Sequence, residues 1–326
     1  MAFHGLLVVR DEADILAETL THLLTWADGV YILDTGSTDG TWEIVNDFAA
    51  RDKRIVPMQS SPLYWHLGLR AMLFDRYRDR FRTGDWIIRL DADEMYHIPP
   101  PTFVREQVSR FEGRIRSLMF EFVLTRGMVE AERQTSRDVT QSIVEQRRTY
   151  YLDPHAEMRL FKYRRSMRWT PDYEGPFNEG LIAYERIPIR HYRCRDEMQV
   201  RRRCALRSRM REGQPSAQTG HTFAAVTHWK EDNWEYWVWP DDQPRLRLWE
   251  PGTELPEFPS PRSSRWTRQR LASQAFYGLG LAGLADRRRP RFNGSYTPEA
   301  IPPELQHALR SIAARNEPPG RCGASS

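Results

Sequence analysis

Short apolar runs alternate with amphipathic segments over the first 90 residues of the chain. The runs at 5–9, 30–33, 54–58 and 85–90 have the length of strands and lie next to turn-forming or charged residues. Between them, apolar residues recur at helical spacing, as in Ile15, Leu16, Leu20, Leu23 and Leu24. Strands that alternate with helices in this order predict a parallel, right-handed βαβ sheet and therefore an α/β fold.

Acidic residues follow three of the predicted strands. Glu12 and Asp34 come after the first two, and the strand at 85–90 runs straight into Asp91, Asp93 and Glu94. The carboxyl ends of parallel strands meet at one edge of a sheet, where open α/β folds bind their ligands. Alternate residues of an extended segment point the same way, so Asp91 and Asp93 can converge on one Mg²⁺ or Mn²⁺ ion. The pattern predicts a ligand site at this edge.

Composition excludes several classes of protein. A net charge of +4 suits an anionic ligand, but the sequence has no nucleic-acid-binding motif, so no nucleic acid partner is expected. Three cysteines are too few for a disulfide framework and favour a reducing, cytoplasmic location. The sequence also lacks the glycine patterns of dinucleotide and P-loop sites and the nucleophile elbow of hydrolases.

Three segments together resemble the signature blocks of family 2 glycosyltransferases. They are Val8-Val9-Arg10-Asp11-Glu12, Leu33-Asp34-Thr35-Gly36-Ser37-Thr38-Asp39-Gly40-Thr41 and Leu90-Asp91-Ala92-Asp93-Glu94. The resemblance is close over roughly the first hundred residues and looser to about residue 210. It implies the GT-A fold, a Rossmann-like, mostly parallel sheet flanked by helices. One departure is Asp11, where the family usually has Asn; a short acid or amide fits either way.

The resemblance also implies which residues meet the nucleotide. Val9 and Glu12 would border the base at the end of the first strand, together with Asp34 and Asp39 after the second. Arg70 matches the position of an arginine that often contacts the nucleotide, and a solvated helix face is the alternative for it.

A divalent metal and a general base complete the implied site. Asp91 would face the ribose and the metal, Asp93 would bind the metal that bridges the diphosphate, and His191 would complete its shell. Inverting transfer also needs a base for the acceptor hydroxyl. Glu179 is the preferred candidate over Asp172 and Glu174, and pairing with an arginine is the structural alternative.

The second half of the chain is less regular. Residues 130–148 are polar with little periodicity and predict a loop over the site. An arginine-dense helix is expected at 193–211, with a solvated face, diphosphate contact and contact with an anionic membrane surface as the alternatives. The uncharged stretch at 271–285 is short for a membrane span and predicts a buried terminal helix, with docking at a membrane interface as the alternative.

Tryptophans concentrate beyond residue 220, at Trp229, Trp234, Trp237, Trp239, Trp249 and Trp266. Their faces suit either stacking on a sugar ring or packing against a catalytic core. We therefore predict a GT-A nucleotide-sugar-binding and catalytic domain at 1–215. A Trp- and Pro-rich extension, mainly helical or irregular, follows at 216–326, either on the acceptor side or packed against the first domain.

These observations predict an inverting, Mn²⁺- or Mg²⁺-dependent glycosyltransferase. Its donor would be a nucleoside-diphosphate sugar, most often a UDP-sugar in the resembled family, and its acceptor a glycan, lipid, protein or small molecule. The expected location is the cytoplasm, with a peripheral contact at the inner membrane face left open. The alternatives are a sugar- or partner-binding protein without catalysis and a nucleotidyltransferase, which would need a glycine-rich loop after the first strand.

Overall fold

The computed structural model describes residues 1–59, 68–135, 141–153, 155–169, 175–176, 180–212 and 231–256, together with 271 and 275. The general base predicted at Glu179 and its alternatives Asp172 and Glu174 lie outside the described residues. So does the terminal helix predicted at 271–285, apart from two isolated positions.

Strands and helices alternate through the first hundred residues, as predicted. The strands are β1 (Phe3–Val9), β2 (Gly29–Asp34), β3 (Ile55–Gln59), β4 (Trp86–Leu90), β5 (Glu94–Tyr96), β6 (Glu112–Phe122), β7 (Thr149–Asp153), β8 (Met158–Lys162), β9 (Leu181–Ile182), β10 (Ile187–His191) and β11 (Arg247–Leu248). The helices are α1 (Ala13–Leu24), α2 (Thr41–Arg51), α3 (Gly68–Arg76), α4 (Pro100–Gln107), α5 (Arg126–Thr135), α6 (Ile143–Gln146) and α7 (Glu197–Glu212). Two 3₁₀ turns lie at Arg78–Arg80 and Glu231–Trp237.

The strands form one sheet in the order β11-β7-β6-β8-β4-β1-β2-β3. The strands β3, β2, β1 and β4 are parallel. Beyond β4 the sheet is mixed, because β8 is antiparallel to β4 and β6, and β7 is antiparallel to β6. β10 lies between β5 and β6, parallel to β6 and antiparallel to β5. The parallel part is therefore the part that the sequence predicted from its βαβ rhythm.

Successive residues of β1 pack on opposite faces of the sheet. Leu7 joins an apolar cluster with Leu16 and Leu20 of α1, whereas Leu6 joins a cluster with Leu69 and Leu73 of α3. This alternation follows from the two-residue period of an extended strand. Helices thus cover both faces of the parallel strands, and the carboxyl edge is left to the loops that carry the acidic residues.

The prediction of a loop at 130–148 is wrong, because α5 and α6 occupy most of the described residues in this range. α6 begins with a capping box, in which Ser142 accepts from the Glu145 N–H at 3.1 Å and Glu145 accepts from the Ser142 N–H at 3.4 Å. The carboxylate of Glu18 in α1 accepts the Ile143 N–H at 2.6 Å. Polar end contacts, rather than an apolar period, fix this short helix.

Residues 231–256 pack against the sheet and against α7. Trp249 is buried beside Phe122, with ring centroids 5.6 Å apart, and Trp234 is buried with Val200 and Cys204. These two tryptophans follow the packing interpretation, while Trp229 and Trp266 lie outside the described residues. The division into domains 1–215 and 216–326 stays a prediction, because residues 213–230 are not described.

Candidate active site

A cleft of about 380 Å³ opens at the carboxyl ends of β1 and β4. Six of the residues predicted for the site line it: Val9, Glu12, Arg70, Asp91, Asp93 and His191. Residues that are far apart in the sequence meet here because parallel strands present their carboxyl ends at the same edge. The side chains of Asp34 and Asp39 are not among those lining the cleft.

The loops after β1 and β2 are hydrogen-bonded to each other. Asp11 donates its N–H to Ser37 Oγ at 2.9 Å, and its carboxylate accepts the Thr38 N–H at 2.7 Å. The backbone of Asp11 is left-handed, with φ of 53°. Among residues with a side chain, Asp and Asn adopt this conformation most readily. This explains why an acid can stand where the family usually has Asn.

Asp34 and Asp39 organise these loops. Asp34 is fully buried, and its carboxylate accepts the N–H groups of Gly36 at 2.9 Å and Ser37 at 3.0 Å. Asp39 accepts the Ala13 N–H at 3.0 Å, at the start of α1. Both acids thus shape the rim of the cleft through the backbone, and their contact with a nucleotide stays a prediction.

Two arginines hold the carboxylate of Asp91. Arg70 donates to one oxygen and also to the Leu90 carbonyl at 3.0 Å, while Arg159 donates to the other oxygen at 2.8 Å. Burial alone would raise the pKa of Asp91, but Arg70 and Arg159 outweigh it and hold the pKa well below its usual range. Arg70 is 5% exposed, so it does not lie on a solvated helix face. Asp91 therefore faces the cleft as an anion.

Three cationic groups surround the buried carboxylate of Asp93. Arg203 donates to Oδ2 at 2.9 Å, with His191 Nε2 at 3.5 Å and Arg195 Nη1 at 3.9 Å from the same oxygen. Burial would raise the pKa of Asp93, but His191 and Arg203 hold it well below its usual value. A charge that is expensive to bury is thus kept ionised by its neighbours.

Arg195 ties the first-strand loop to this cluster. It is fully buried, donates to Asp14 at 2.6 and 2.8 Å, and pairs with Glu12. Burial raises the pKa of Glu12 in spite of the Arg195 charge. Because Arg195 also lies near Asp93, one guanidinium links the carboxylates that follow β1 and β4.

His191 is fixed by a carboxylate from the neighbouring strand. The parallel pairing of β10 with β6 places His191 opposite Glu121, and His191 Nδ1 lies 2.8 Å from Glu121 Oε1. Burial alone would lower the pKa of His191, but Glu121 and Asp93 raise it to about 10. With Nδ1 engaged by Glu121, Nε2 carries a proton and faces Asp93. A metal ion would have to displace that proton, after which Glu121 would support His191 as carboxylates commonly support metal-ligating histidines.

Glu94 supports Arg159 from the buried side. It begins β5, opposite His191, is 1% exposed, and accepts from Arg159. Its Oε2 has no hydrogen-bond partner among the described residues. Burial raises the pKa of Glu94 to about 8, with the charges of Asp91 and Asp93 acting in the same direction.

The donor chemistry at this edge fits a divalent cation. Asp91 and Asp93 offer the carboxylate oxygens that Mg²⁺ and Mn²⁺ prefer, and the Glu121 contact presents His191 Nε2 on the same side. Within the described residues, no three acidic, imidazole or thiol groups surround one point. Arginines supply the positive charge beside both aspartates in this structure. That Asp91, Asp93 and His191 would hold the ion stays a prediction.

Four charged residues of the site were not predicted individually from the sequence, namely Glu121, Arg159, Arg195 and Arg203. Two of them carry a signal that could have been used. Glu121 stands between Phe120 and Phe122 in β6, and Arg159 precedes Leu160 in β8. A lone charge inside an apolar strand must find a partner or a ligand. Arg195 and Arg203 lie in an arginine-dense stretch where no single residue stands out.

Comparisons with known proteins agree with the architecture. A family model, glycosyl transferase family 2, matches residues 6–169. A TPR repeat-containing protein of Synechococcus elongatus is 26% identical over 190 residues, which cover 55% of this chain and 36% of that protein. The chain thus spans about a third of this curated relative.

Two solved structures are more distant. The mannosyltransferase PcManGT from Pyrobaculum calidifontis, in complex with GDP-Man and Mn²⁺, is 13% identical with a TM-score of 0.33, over 97% of this chain and 86% of that one. Mannosyl-3-phosphoglycerate synthase from Rubrobacter xylanophilus is 16% identical with a TM-score of 0.27, over 38% of this chain and 41% of that one.

The chain belongs to glycosyl transferase family 2, because the family model matches half of it. The match includes β1 from Leu6 onward, all of β2, β3, β4 and β8, and the residues Asp91 and Asp93. The predicted family and its α/β fold of GT-A type are confirmed, and glycosyltransferase is the enzyme class that this family model describes. In the part of the chain that is described, no helix combines the length and the hydrophobicity needed to cross a membrane.

Proposed function

We propose that this protein is an inverting, metal-dependent glycosyltransferase that moves a sugar from a nucleoside-diphosphate donor to an acceptor hydroxyl. A UDP-sugar is the first donor to test. The observation that carries the proposal is the convergence of Asp91, Asp93 and His191 with Val9 and Glu12 on one cleft, at the carboxyl edge of the parallel strands.

The nucleotide would lie at the ends of β1 and β2. Val9 and Glu12 border this part of the cleft directly, while Asp34 and Asp39 act through the loops that they hold. Arg70 would act through Asp91, because its guanidinium is hydrogen-bonded to that carboxylate. A rigid rim of this kind orients the donor before reaction, which lowers the entropic part of the barrier.

The diphosphate would lie beside Asp91 and Asp93. A bound Mn²⁺ or Mg²⁺ would stabilise the negative charge that develops on the departing nucleoside diphosphate. Asp91 and Asp93 are ionised and His191 is already oriented by Glu121, so these residues would hold the ion once it displaces the Nε2 proton of His191.

Glu179 remains the proposed base of the single displacement. Its carboxylate would take the proton of the acceptor hydroxyl while the hydroxyl oxygen attacks the anomeric carbon. The nucleoside diphosphate leaves from the opposite face of the sugar, which inverts the configuration. This proposal rests on the family pattern around residues 175–179, of which Phe177, Asn178 and Glu179 lie outside the described residues.

A thermal-shift screen of nucleotide sugars, with Mn²⁺ and with EDTA, tests the function. A ligand at about a hundred times its Kd stabilises a protein by roughly 2.7 kcal/mol, which is readily detected. We expect a Mn²⁺-dependent shift with one nucleotide class, followed by release of nucleoside diphosphate. Binding without any release would favour the non-catalytic alternative, and no shift with any nucleotide would contradict the proposal.

A further inference from the structure

One wall of the cleft is built from α7 and the 3₁₀ turn at Glu231–Trp237. Arg202, Arg203 and Arg207 of α7 line the cleft together with Trp237. Glu197, the acid at the start of α7, does not offset their charge at the cleft. It pairs with Arg133 at 2.7 Å and with Arg201 at 2.8 Å, and none of these three residues lines the cleft.

The positive charges of this α7 wall are crowded. Arg193 lines the cleft beside the wall and pairs with Glu121, while Arg203 pairs with Asp93. Burial lowers the pKa of Arg207 to about 9, and the like charges of Arg203 and Arg193 act in the same direction. Arg207 is still protonated at neutral pH, so the wall presents several cations to whatever enters the cleft.

The proposed donor would not use up this charge. Asp93 would bind the divalent cation, so its negative charge would be shared between that cation and Arg203. The diphosphate would have that same cation as its counter-ion. Arg202 and Arg207 would then face a second anionic group, and guanidinium groups pair well with phosphate and carboxylate through two parallel hydrogen bonds.

The same wall offers an aromatic surface. Trp237 is half-buried, lines the cleft, and meets Tyr236 edge to face with ring centroids 5.4 Å apart. Its packing partners therefore leave part of its surface open on the cleft side. Tryptophan combines a large apolar face with a polar edge, which suits contact with the apolar face of a sugar ring.

We propose that the α7 wall is the acceptor subsite and that the acceptor is an anionic carbohydrate. A sugar ring would lie against Trp237, with its phosphate or carboxylate on Arg202 and Arg207. This inference rests on the proposed function and deepens it, since it selects one acceptor class from glycan, lipid, protein and small molecule.

Binding of matched sugars tests the charge requirement. The full chain, saturated with Mn²⁺ and UDP, is titrated calorimetrically with glucose, glucose 6-phosphate and glucuronate at low salt. At least one charged sugar is expected to bind roughly tenfold tighter than glucose, as a charge-assisted hydrogen bond to arginine implies. The double variant Arg202→Gln/Arg207→Gln should bring this ratio close to one. Arg201→Gln, on the same helix but paired with Glu197, should leave it unchanged.

The aromatic part has a separate readout. Trp237→Leu should weaken all three sugars by a similar factor and leave the binding of inorganic phosphate unchanged. Trp237→Phe should restore part of the loss, because an aromatic face is retained. If Trp237→Leu leaves sugar binding unaltered, the stacking contact is wrong.

Other outcomes would overturn the proposal without touching the donor site. Charged and neutral sugars that bind equally, or not at all, would exclude an anionic acceptor at this wall. Inorganic phosphate that binds as tightly as glucose 6-phosphate would indicate an anion site without sugar recognition. If Arg202→Gln/Arg207→Gln weakened UDP in EDTA but spared the charged sugars, the arginines would serve the donor. If the wild type binds no nucleotide at all, that result contradicts the proposed function itself and is distinct from those above.

Discussion

The cleft has a carboxylate side and an arginine side, and they are assembled differently. Glu12, Asp91 and Asp93 follow strands in the first third of the chain. Apart from Arg70, which lies 21 residues from Asp91, their cationic partners named above come from much later in the chain. Arg159 lies 68 residues from Asp91, Arg203 lies 110 residues from Asp93, and Arg195 lies 183 residues from Glu12. The acids are therefore placed by local strand endings, whereas the arginines are placed by the completed fold.

The arginines of the cleft therefore have two roles: some stabilise the fold, and others are placed where a ligand can reach them. Arg195 is fully buried and offsets the charges of Glu12 and Asp14, so its contribution is mainly to the fold. Arg202 and Arg207 line the cleft, where a ligand can reach them. On the carboxylate side, one set of residues serves both tasks, because Asp91 and Asp93 are held as anions and are also the proposed ligands of the metal.

The largest expected effect comes from Arg195→Met. Removing this guanidinium leaves Glu12 and Asp14 without their buried partner, and breaking one side of a buried ion pair typically costs about 3–5 kcal/mol. Urea denaturation would measure the loss of unfolding free energy. Arg201→Met is the control, because Arg201 is half exposed and should cost less than about 1 kcal/mol. Equal losses in the two variants would contradict a structural task for Arg195.

Asp93→Asn tests the carboxylate side with nearly unchanged shape. We expect turnover with the donor found in the screen to fall by about 10²–10³, the loss typical of removing one group that stabilises transition-state charge. Asp85→Asn is the control from the other end of β4, where Asp85 accepts the Ala2 and Arg82 N–H groups. It should lower stability while the folded enzyme keeps its turnover number. Full activity in folded Asp93→Asn would show that the metal role is wrong.

Glu121→Gln is expected to have a smaller effect, on metal affinity. Without the carboxylate, the orientation of His191 is less firmly set, and loss of such a supporting contact typically costs 10–100-fold in affinity. Electron paramagnetic resonance of free Mn²⁺, in the presence of UDP, would measure the change. Glu112→Gln is the control, because it removes another buried carboxylate of β6, one that accepts the Ser109 N–H. Unchanged Mn²⁺ affinity in Glu121→Gln would leave Glu121 with a structural task only.

The parallel part of the fold could be predicted because its signals are local. The strands ending at Val9, Asp34 and Leu90 are apolar runs, and the acids behind them must emerge at the sheet edge. The mixed part was harder to predict. β10 separates β5 from β6, a pairing between residues about 70 to 100 positions apart that no short window of sequence displays.

The residues of the site also differ in how far the sequence could predict their positions. Six predicted residues meet in the cleft because each ends or follows a strand, or lies on a helix beside the sheet edge. Asp34 and Asp39 carried the same sequence signal, yet their carboxylates bond to nearby backbone N–H groups. Whether a loop acid faces a ligand or its own backbone depends on loop geometry, which residue type alone does not specify.

The smallest expected effect is on stability, and it comes from Glu157, a partly exposed carboxylate on the carboxylate side of the cleft. Glu157 lines the cleft with its side chain 32% exposed, and Arg159 lies 3.2 Å from it. The Arg159 charge outweighs burial and lowers the pKa of Glu157 from its usual 4.5. The stabilisation is therefore complete above pH 4.5 and is lost as the pH falls through the folded-state pKa.

Glu157→Gln should cost less than about 1 kcal/mol at pH 7, and urea titrations should show the difference shrinking in acid. Glu106→Gln, at an exposed carboxylate paired with Arg105, is the control and should show little change at either pH. A cost for Glu157→Gln that did not vary with pH would mean that packing, rather than charge, holds Glu157 in place.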